Sequence, residues 1–166
     1  MKLIHHEIIE HKACKIVGRS IRTRALSNDI PALWDKCFKE DLFKQLINPE
    51  FLADDLNPDT IGAMVDFDGD TFTYIVGTFL KSDALVNGYD VVEFPAGKAI
   101  VTWIQGPIAQ VFSEAPILSE KKLLDLGLEA DHSSIYGIEI YTMERYVSEQ
   151  KKGKGNITLD YLIPLK

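Results

Sequence analysis

The sequence predicts an α+β fold: an antiparallel sheet assembled from two similar halves, about 1–83 and 84–166, with helices packed on one side and a central ligand cleft. Three observations carry this. Strand-like runs occur in pairs, helical periodicity is confined to the segments between them, and a short corner in the first half recurs half a chain later. In that corner, Glu10-His11-Lys12-Ala13-Cys14-Lys15-Ile16-Val17 aligns its Glu, Ala and Lys with those of Glu93-Phe94-Pro95-Ala96-Gly97-Lys98-Ala99-Ile100. An offset of half the chain is the mark of a tandem duplication. At 166 residues the chain is the length of a single domain.

Taken in order, Lys2 to Glu10 and Lys15 to Arg24 read as strands, the second alternating through Val17, Arg19 and Ile21. A helix follows, its apolar positions Ile30, Leu33, Trp34, Cys37, Phe38, Leu42 and Leu46 keeping to one face at spacings of three and four. Asn28 and Asp29 offer capping acceptors, Pro31 fits the first turn, and Asn48-Pro49 ends the helix. Thr60 to Phe67 and Thr71 to Leu80 form a strand pair around the turn Asp68-Gly69.

The second half opens with strands at Val91 to Phe94 and Ala99 to Gln105. Pro116 is expected to divide the following helical stretch, Ile108 to Leu126, into two short helices, the second capped near Ser119 and stopped at Gly127. Tyr136 to Val147 and Asn156 to Leu165 then close the chain as a hairpin.

Composition excludes several classes. A net charge of -7 repels phosphate backbones, so direct nucleic-acid binding is not expected. The basic cluster Lys151 to Lys154 reads as a solvated loop. No apolar window reaches the roughly 20 residues of a membrane span, and no signal-peptide pattern opens the chain. With two cysteines outside any CxxC spacing, a reduced, cytoplasmic protein is the expectation.

The chain carries no GxSxG, Walker or dinucleotide-binding glycine pattern. Asp66-Phe67-Asp68-Gly69-Asp70 brings its glycine two positions too early for a calcium loop, and the twelfth position is Gly77 rather than a carboxylate. His5, His6, His11 and His132 match no zinc spacing. Neither a metal nor a cofactor is expected. What stands out is an excess of aromatics on the first helix and the strands, most of them core, and Glu144 in a strand-like run, where it shares parity with Tyr146. Turned inward among aromatics, Glu144 would act as an acid or base or pair with a cation; turned outward, it would be a solvated residue or an ion-pair partner of Arg145.

Six segments, Ile30-Pro31-Ala32-Leu33-Trp34, Gly62 to Asp66, Phe72-Thr73-Tyr74-Ile75-Val76-Gly77, Phe94-Pro95-Ala96-Gly97-Lys98, Met143-Glu144-Arg145-Tyr146 and Tyr161-Leu162-Ile163-Pro164-Leu165-Lys166, give the chain a family likeness through their order and spacing. It resembles the gyrase-inhibitor-like small-molecule-binding domain, which is also the effector-binding domain of AraC-type and MerR regulators. The resemblance implies a tandem βαββ repeat with pseudo-twofold symmetry and a ligand cleft on the axis. It implies that Glu144 supplies a charge and Tyr146 a wall, and that Trp34 and Tyr74 line the pocket. Phe38, Met64, Trp103 and Phe112 are further ligand-binding candidates. Met64 and Ala99 stand where many relatives carry tyrosine.

The expected function is therefore that of a small-molecule binding module, taking cationic or aromatic ligands, of the bacterial transcription-regulator type. With the first strand starting near Lys2, no room is expected for a helix-turn-helix, and any regulatory role would use a separate partner. The alternatives are a hydrolase of reactive hydrophobic compounds with Glu144 as general base, and a gyrase-interacting protein. Monomer and homodimer both stay open.

Overall fold

The computed structural model describes residues 1–53, 55–56 and 59–166. Its framework is one antiparallel sheet of eight strands: β1 (Lys2–His11), β2 (Cys14–Thr23), β3 (Thr60–Val65), β4 (Phe72–Lys81), β5 (Asp90–Phe94), β6 (Gly97–Pro107), β7 (Ile135–Tyr141) and β8 (Asn156–Leu165). The spatial order is β1-β6-β8-β7-β3-β4-β2-β5. Exchanging β1 with β5, β2 with β6, β3 with β7 and β4 with β8 returns the same order. The pseudo-twofold axis of the tandem repeat thus passes between β3 and β7.

Each half sends its first strand into the other. β1 pairs with β6, and β5 pairs with β2. The corners that allow this are Lys12-Ala13 and Pro95-Ala96, the two segments whose similarity the sequence displays. Chain crossing is tight elsewhere too: an added Cβ at Gly18 would lie 1.8 Å from the Val76 carbonyl oxygen, so β2 and β4 require glycine there.

The helices between the second and third strands and between the sixth and seventh cover one face of the sheet, whereas the short helix before β8 reaches the opposite face, where Glu149 accepts from the Thr158 hydroxyl at 3.1 Å. The first helical segment is two helices, α1 (Asp29–Lys39) and α2 (Leu42–Leu46), broken where Asp41 takes a left-handed φ of 54°. The apolar stripe survives the break, because Leu33, Cys37, Leu42 and Leu46 are all buried against Val17, Val76 and Leu80. In the second half, α3 (Ile108–Leu126) runs unbroken through Pro116, against the expectation of two short helices. Val111, Ala115, Ser119 and Leu123 recur every fourth residue on the buried face, and the Ser119 hydroxyl meets that of Thr102 on β6 at 2.6 Å. Packing on one continuous stripe overrides the backbone hydrogen bond that proline forfeits. Gly127 ends the helix at φ 68°, as the sequence indicated.

The opposite face curls on itself around Ile16, Ile61, Ala63, Ile75, Phe79, Phe94, Val101, Ile138 and Leu162. Phe79 stacks on Phe94 at 6.1 Å and His11 on Phe94 at 4.2 Å, bringing the ends of β1 and β5 together. Both cysteines are free and buried, and burial pushes the Cys14 thiol up to about 12 and that of Cys37 to about 11.

The last connection departs most from expectation. β7 stops at Tyr141; Thr142 is buried, and its hydroxyl accepts the Arg145 amide at 3.3 Å. Met143–Val147 then forms a π-helical turn closed by the Val147 amide on the Thr142 carbonyl, and α4 (Ser148–Lys151) leads into β8. The strand-like reading of Tyr136 to Val147 fails beyond Tyr141 because the Thr142 cap competes successfully with the sheet.

Candidate functional site

A buried carboxylate, that of Glu139, sits beside the pseudo-twofold axis on the helix-covered face. It lies on β7 opposite Gly62 of β3, with only 8% of the residue exposed. Two phenols donate to the same oxygen of it: Tyr74 from β4 and Tyr141 from β7, each at 2.7 Å from Oε2. The Trp34 indole N–H on α1 in turn donates to the Tyr74 hydroxyl at 3.1 Å. Tyr74 reaches the carboxylate because its strand neighbour is a glycine; a Cβ on Gly62 would stand 2.0 Å from the phenol oxygen.

Burial raises the Glu139 carboxyl above its ordinary range, opposed only by the two hydroxyls, and it pushes both phenols well above theirs. Among the described residues no cationic side chain pairs with Glu139. A carboxylate held this way accepts hydrogen bonds but has no counter-charge, and its ionised form is the state that a positive ligand would stabilise.

The surroundings are aromatic. Trp34 meets Tyr141 edge-on at 4.8 Å, Tyr141 meets Tyr146 edge-on at 4.7 Å, and Phe112 of α3 approaches both tyrosines at 6.3 Å. Met64 packs against the clusters under both helical layers and so spans the axis. Phe38 is 60% exposed, at the outer rim, 6.0 Å from Trp34 and 5.6 Å from Phe43.

Of the residues chosen from sequence, Trp34, Tyr74, Met64, Phe112 and Tyr146 thus converge on one place. Glu144 does not join them. It lies in the π-helical turn with 83% of its side-chain surface exposed, 3.5 Å from Arg145, which is the outward of the two orientations the sequence left open and not the inward one the resemblance implied. Trp103 faces away as well: it packs in the core of the opposite face, beneath the Arg145 guanidinium, which stacks 4.0 Å above its ring. Sequence reasoning missed Glu139, and it counted Tyr141 among the strand aromatics without choosing it for the site. The signal was present in Ile138-Glu139-Ile140-Tyr141, a lone carboxylate inside an apolar strand with a tyrosine on the same face.

The opposite face holds a second buried carboxylate, Asp160 of β8. Arg145 grips it with both ends of its guanidinium, Nε donating to Oδ1 at 2.8 Å and an Nη to Oδ2. Burial raises Asp160 while these bonds lower it, and they in turn hold the guanidinium charged. A groove of about 620 Å³ lies elsewhere, between β2 and α1. There Arg19 and Lys36 both pair with Glu40, at 3.4 and 3.9 Å, so the groove's charges largely satisfy one another.

Residues 7–165 match the family described as integron-associated effector binding protein, and the chain belongs to that family. Among solved structures it is similar to SAV2435 bound to tetraphenylphosphonium, at 15% identity and a TM-score of 0.73, covering 98% of this chain and 94% of that one. A putative bacterial transcription regulation protein from Staphylococcus aureus MU50 follows at 14% identity and a TM-score of 0.67, covering 98% of each. The C-terminal domain of EcmrR shares 13% identity at a TM-score of 0.62, covering 100% of this chain and 99% of that one. No curated protein sequence matches the chain. Among the described residues no helix is long and apolar enough to cross a membrane.

Proposed function

We propose that the protein binds lipophilic organic cations, with Glu139 as the charge that selects them. The observation that carries this reading is a buried carboxylate supported by two phenol hydroxyls, without a cationic partner among the described residues, in a nest of aromatic rings. Tyr141, Tyr146, Trp34 and Phe112 form the walls, where ring faces attract a planar or bulky cation, and Phe38 stands at the rim. Trp34 and Tyr141, both hydrogen-bonded into the Glu139 cluster, meet edge-on at 4.8 Å, and in this reading a ligand enters by parting them. Membership of an effector-binding family and the phosphonium found in SAV2435 agree with this chemistry.

In this reading the protein is a multidrug-type effector-binding module, similar to the AraC-type and gyrase-inhibitor-like domains. It works in the cytoplasm, and its response passes to a separate regulator rather than directly to nucleic acid. A general-base role for Glu144 has no support from its position, since its side chain is exposed to solvent rather than turned into a pocket.

Calorimetric titration of wild type and Glu139→Gln with tetraphenylphosphonium and with neutral triphenylphosphine oxide tests the proposal. Saturable binding of the phosphonium alone, weakened about 10- to 100-fold by the substitution, is expected. Equal affinity of both proteins for the phosphonium would remove Glu139 from the site.

A further inference from the structure

The pseudo-twofold axis relates Gly62 to Gly137 and Tyr74 to Tyr161. On each side a tyrosine crosses a glycine of the neighbouring strand, with its hydroxyl oxygen 2.0 Å from where the glycine's Cβ would be. The register agrees: Met64 pairs with Tyr74 and with Gly137, and Glu139 pairs with Tyr161 and with Gly62. The operation that carries Tyr74 onto Tyr161 therefore carries Met64 onto Glu139.

The skeleton of the site is twofold and its chemistry is not. Tyr74 crosses Gly62 and finds the Glu139 carboxylate at 2.7 Å. Tyr161 crosses Gly137 on the symmetric side, where the register puts Met64 in the place of Glu139 and no carboxylate stands. Its hydroxyl is fully buried and has no hydrogen-bond partner among the described residues. A thioether is a weak acceptor, and a buried hydroxyl without a partner is costly.

We infer that the pocket has two unlike poles: Glu139 takes the single positive centre of the ligand, and the Tyr161 hydroxyl donates to a neutral acceptor at its other end, with Met64 excluding a second charge. This rests on the reading of Glu139 as the cation site. Diagonal neighbours on adjacent strands lie about 7–8 Å apart, so a ligand of two linked six-membered rings spans the poles. Met64 is flexible enough to move aside for a neutral ring. A second cation at that pole would be desolvated against a thioether and a hydroxyl, with no counter-charge.

Three probes of nearly equal size separate the poles: N-methyl-4-phenylpyridinium, N-methyl-4,4′-bipyridinium and N,N′-dimethyl-4,4′-bipyridinium. The first is a monocation with an apolar end, the second a monocation ending in a neutral acceptor nitrogen, and the third a dication. Wild type is expected to bind the second about fivefold more tightly than the first, and the third most weakly. Tyr161→Phe should erase the gap between the two monocations. Met64→Glu should make the dication the tightest ligand, with a gain of about tenfold or more, because its charges hold both carboxylates ionised.

Should Met64→Glu fail to fold, as its melting curve would show, Met64→Gln provides the second test. The amide occupies the Tyr161 hydroxyl, so the gap between the monocations closes with no gain for the dication. Wild type binding the dication as tightly as either monocation, or binding both monocations equally, overturns the two-pole assignment and leaves Glu139 in place. Binding of none of the three probes, together with no tetraphenylphosphonium binding, overturns the cation site itself.

Discussion

Glu139 and Asp160 are both buried carboxylates on neighbouring strands of one sheet, facing opposite ways, and they have been given opposite partners. Asp160 is gripped by both ends of the Arg145 guanidinium, which in turn lies flat on Trp103. Glu139 has hydroxyls only. Hydrogen bonds of this kind stabilise the carboxylate but leave its charge in place, whereas the guanidinium neutralises it. The Asp160 side is therefore complete as it stands and fastens the π-helical turn to the sheet. On the proposed reading, the Glu139 side is completed by a positive ligand.

The contrast is most easily broken at Arg145. Arg145→Ala leaves Asp160 buried and alone, and a loss of about 3 kcal/mol in urea unfolding at neutral pH is expected. The loss should shrink as the pH falls and Asp160 takes up a proton.

Glu139→Gln should do the reverse to the free protein. Burial raises the folded-state pKa of Glu139, so its contribution to stability is present below the unfolded value and lost as pH rises through the folded one. Above the ordinary glutamate range wild type thus carries a cost that a neutral amide avoids, and the glutamine variant should be more stable at neutral pH by about 1 kcal/mol. Thermal melts of the two proteins should converge below pH 4.5, the ordinary glutamate value. The same linkage makes phosphonium affinity rise with pH over that interval, with a proton released on binding, which titration in two buffers of different ionisation enthalpy would measure.

Smaller effects sharpen the picture. Trp34→Ala removes a wall and a donor to Tyr74, and phosphonium affinity should fall about fivefold. Glu144→Gln should leave that affinity within about twofold, because an exposed charge is screened. A large effect there, with none at Glu139, would return the site to the position first expected from sequence.

The sheet was legible in the sequence to within a few residues, since alternation, the Asp68-Gly69 turn and the repeated corner are local signals. The helices were legible as buried stripes and misread in their breaks. Asp41 enters a left-handed conformation that no glycine announces, and Pro116 is carried by packing no local rule contains. The aromatic residues proposed as walls were legible because large rings on strands and on one helix face are conspicuous. An inward Glu144 depended on extending the strand past Tyr141, which lent it a parity it does not have. The cap at Thr142 decides that boundary, and its partner is an amide inside a π-helical turn that periodicity cannot reveal.

The exchange of first strands between the halves is the arrangement of a domain-swapped dimer written into a single chain. Neither half can close its sheet alone, because each lacks the strand that covers the edge of its own second strand. The polypeptide cut between residues 83 and 84 should therefore behave as a pair of complementing fragments, largely unfolded apart and restored on mixing. A cation that binds across the β3–β7 seam would pull the two fragments together, which makes split halves of this protein a natural reporter of its own ligand.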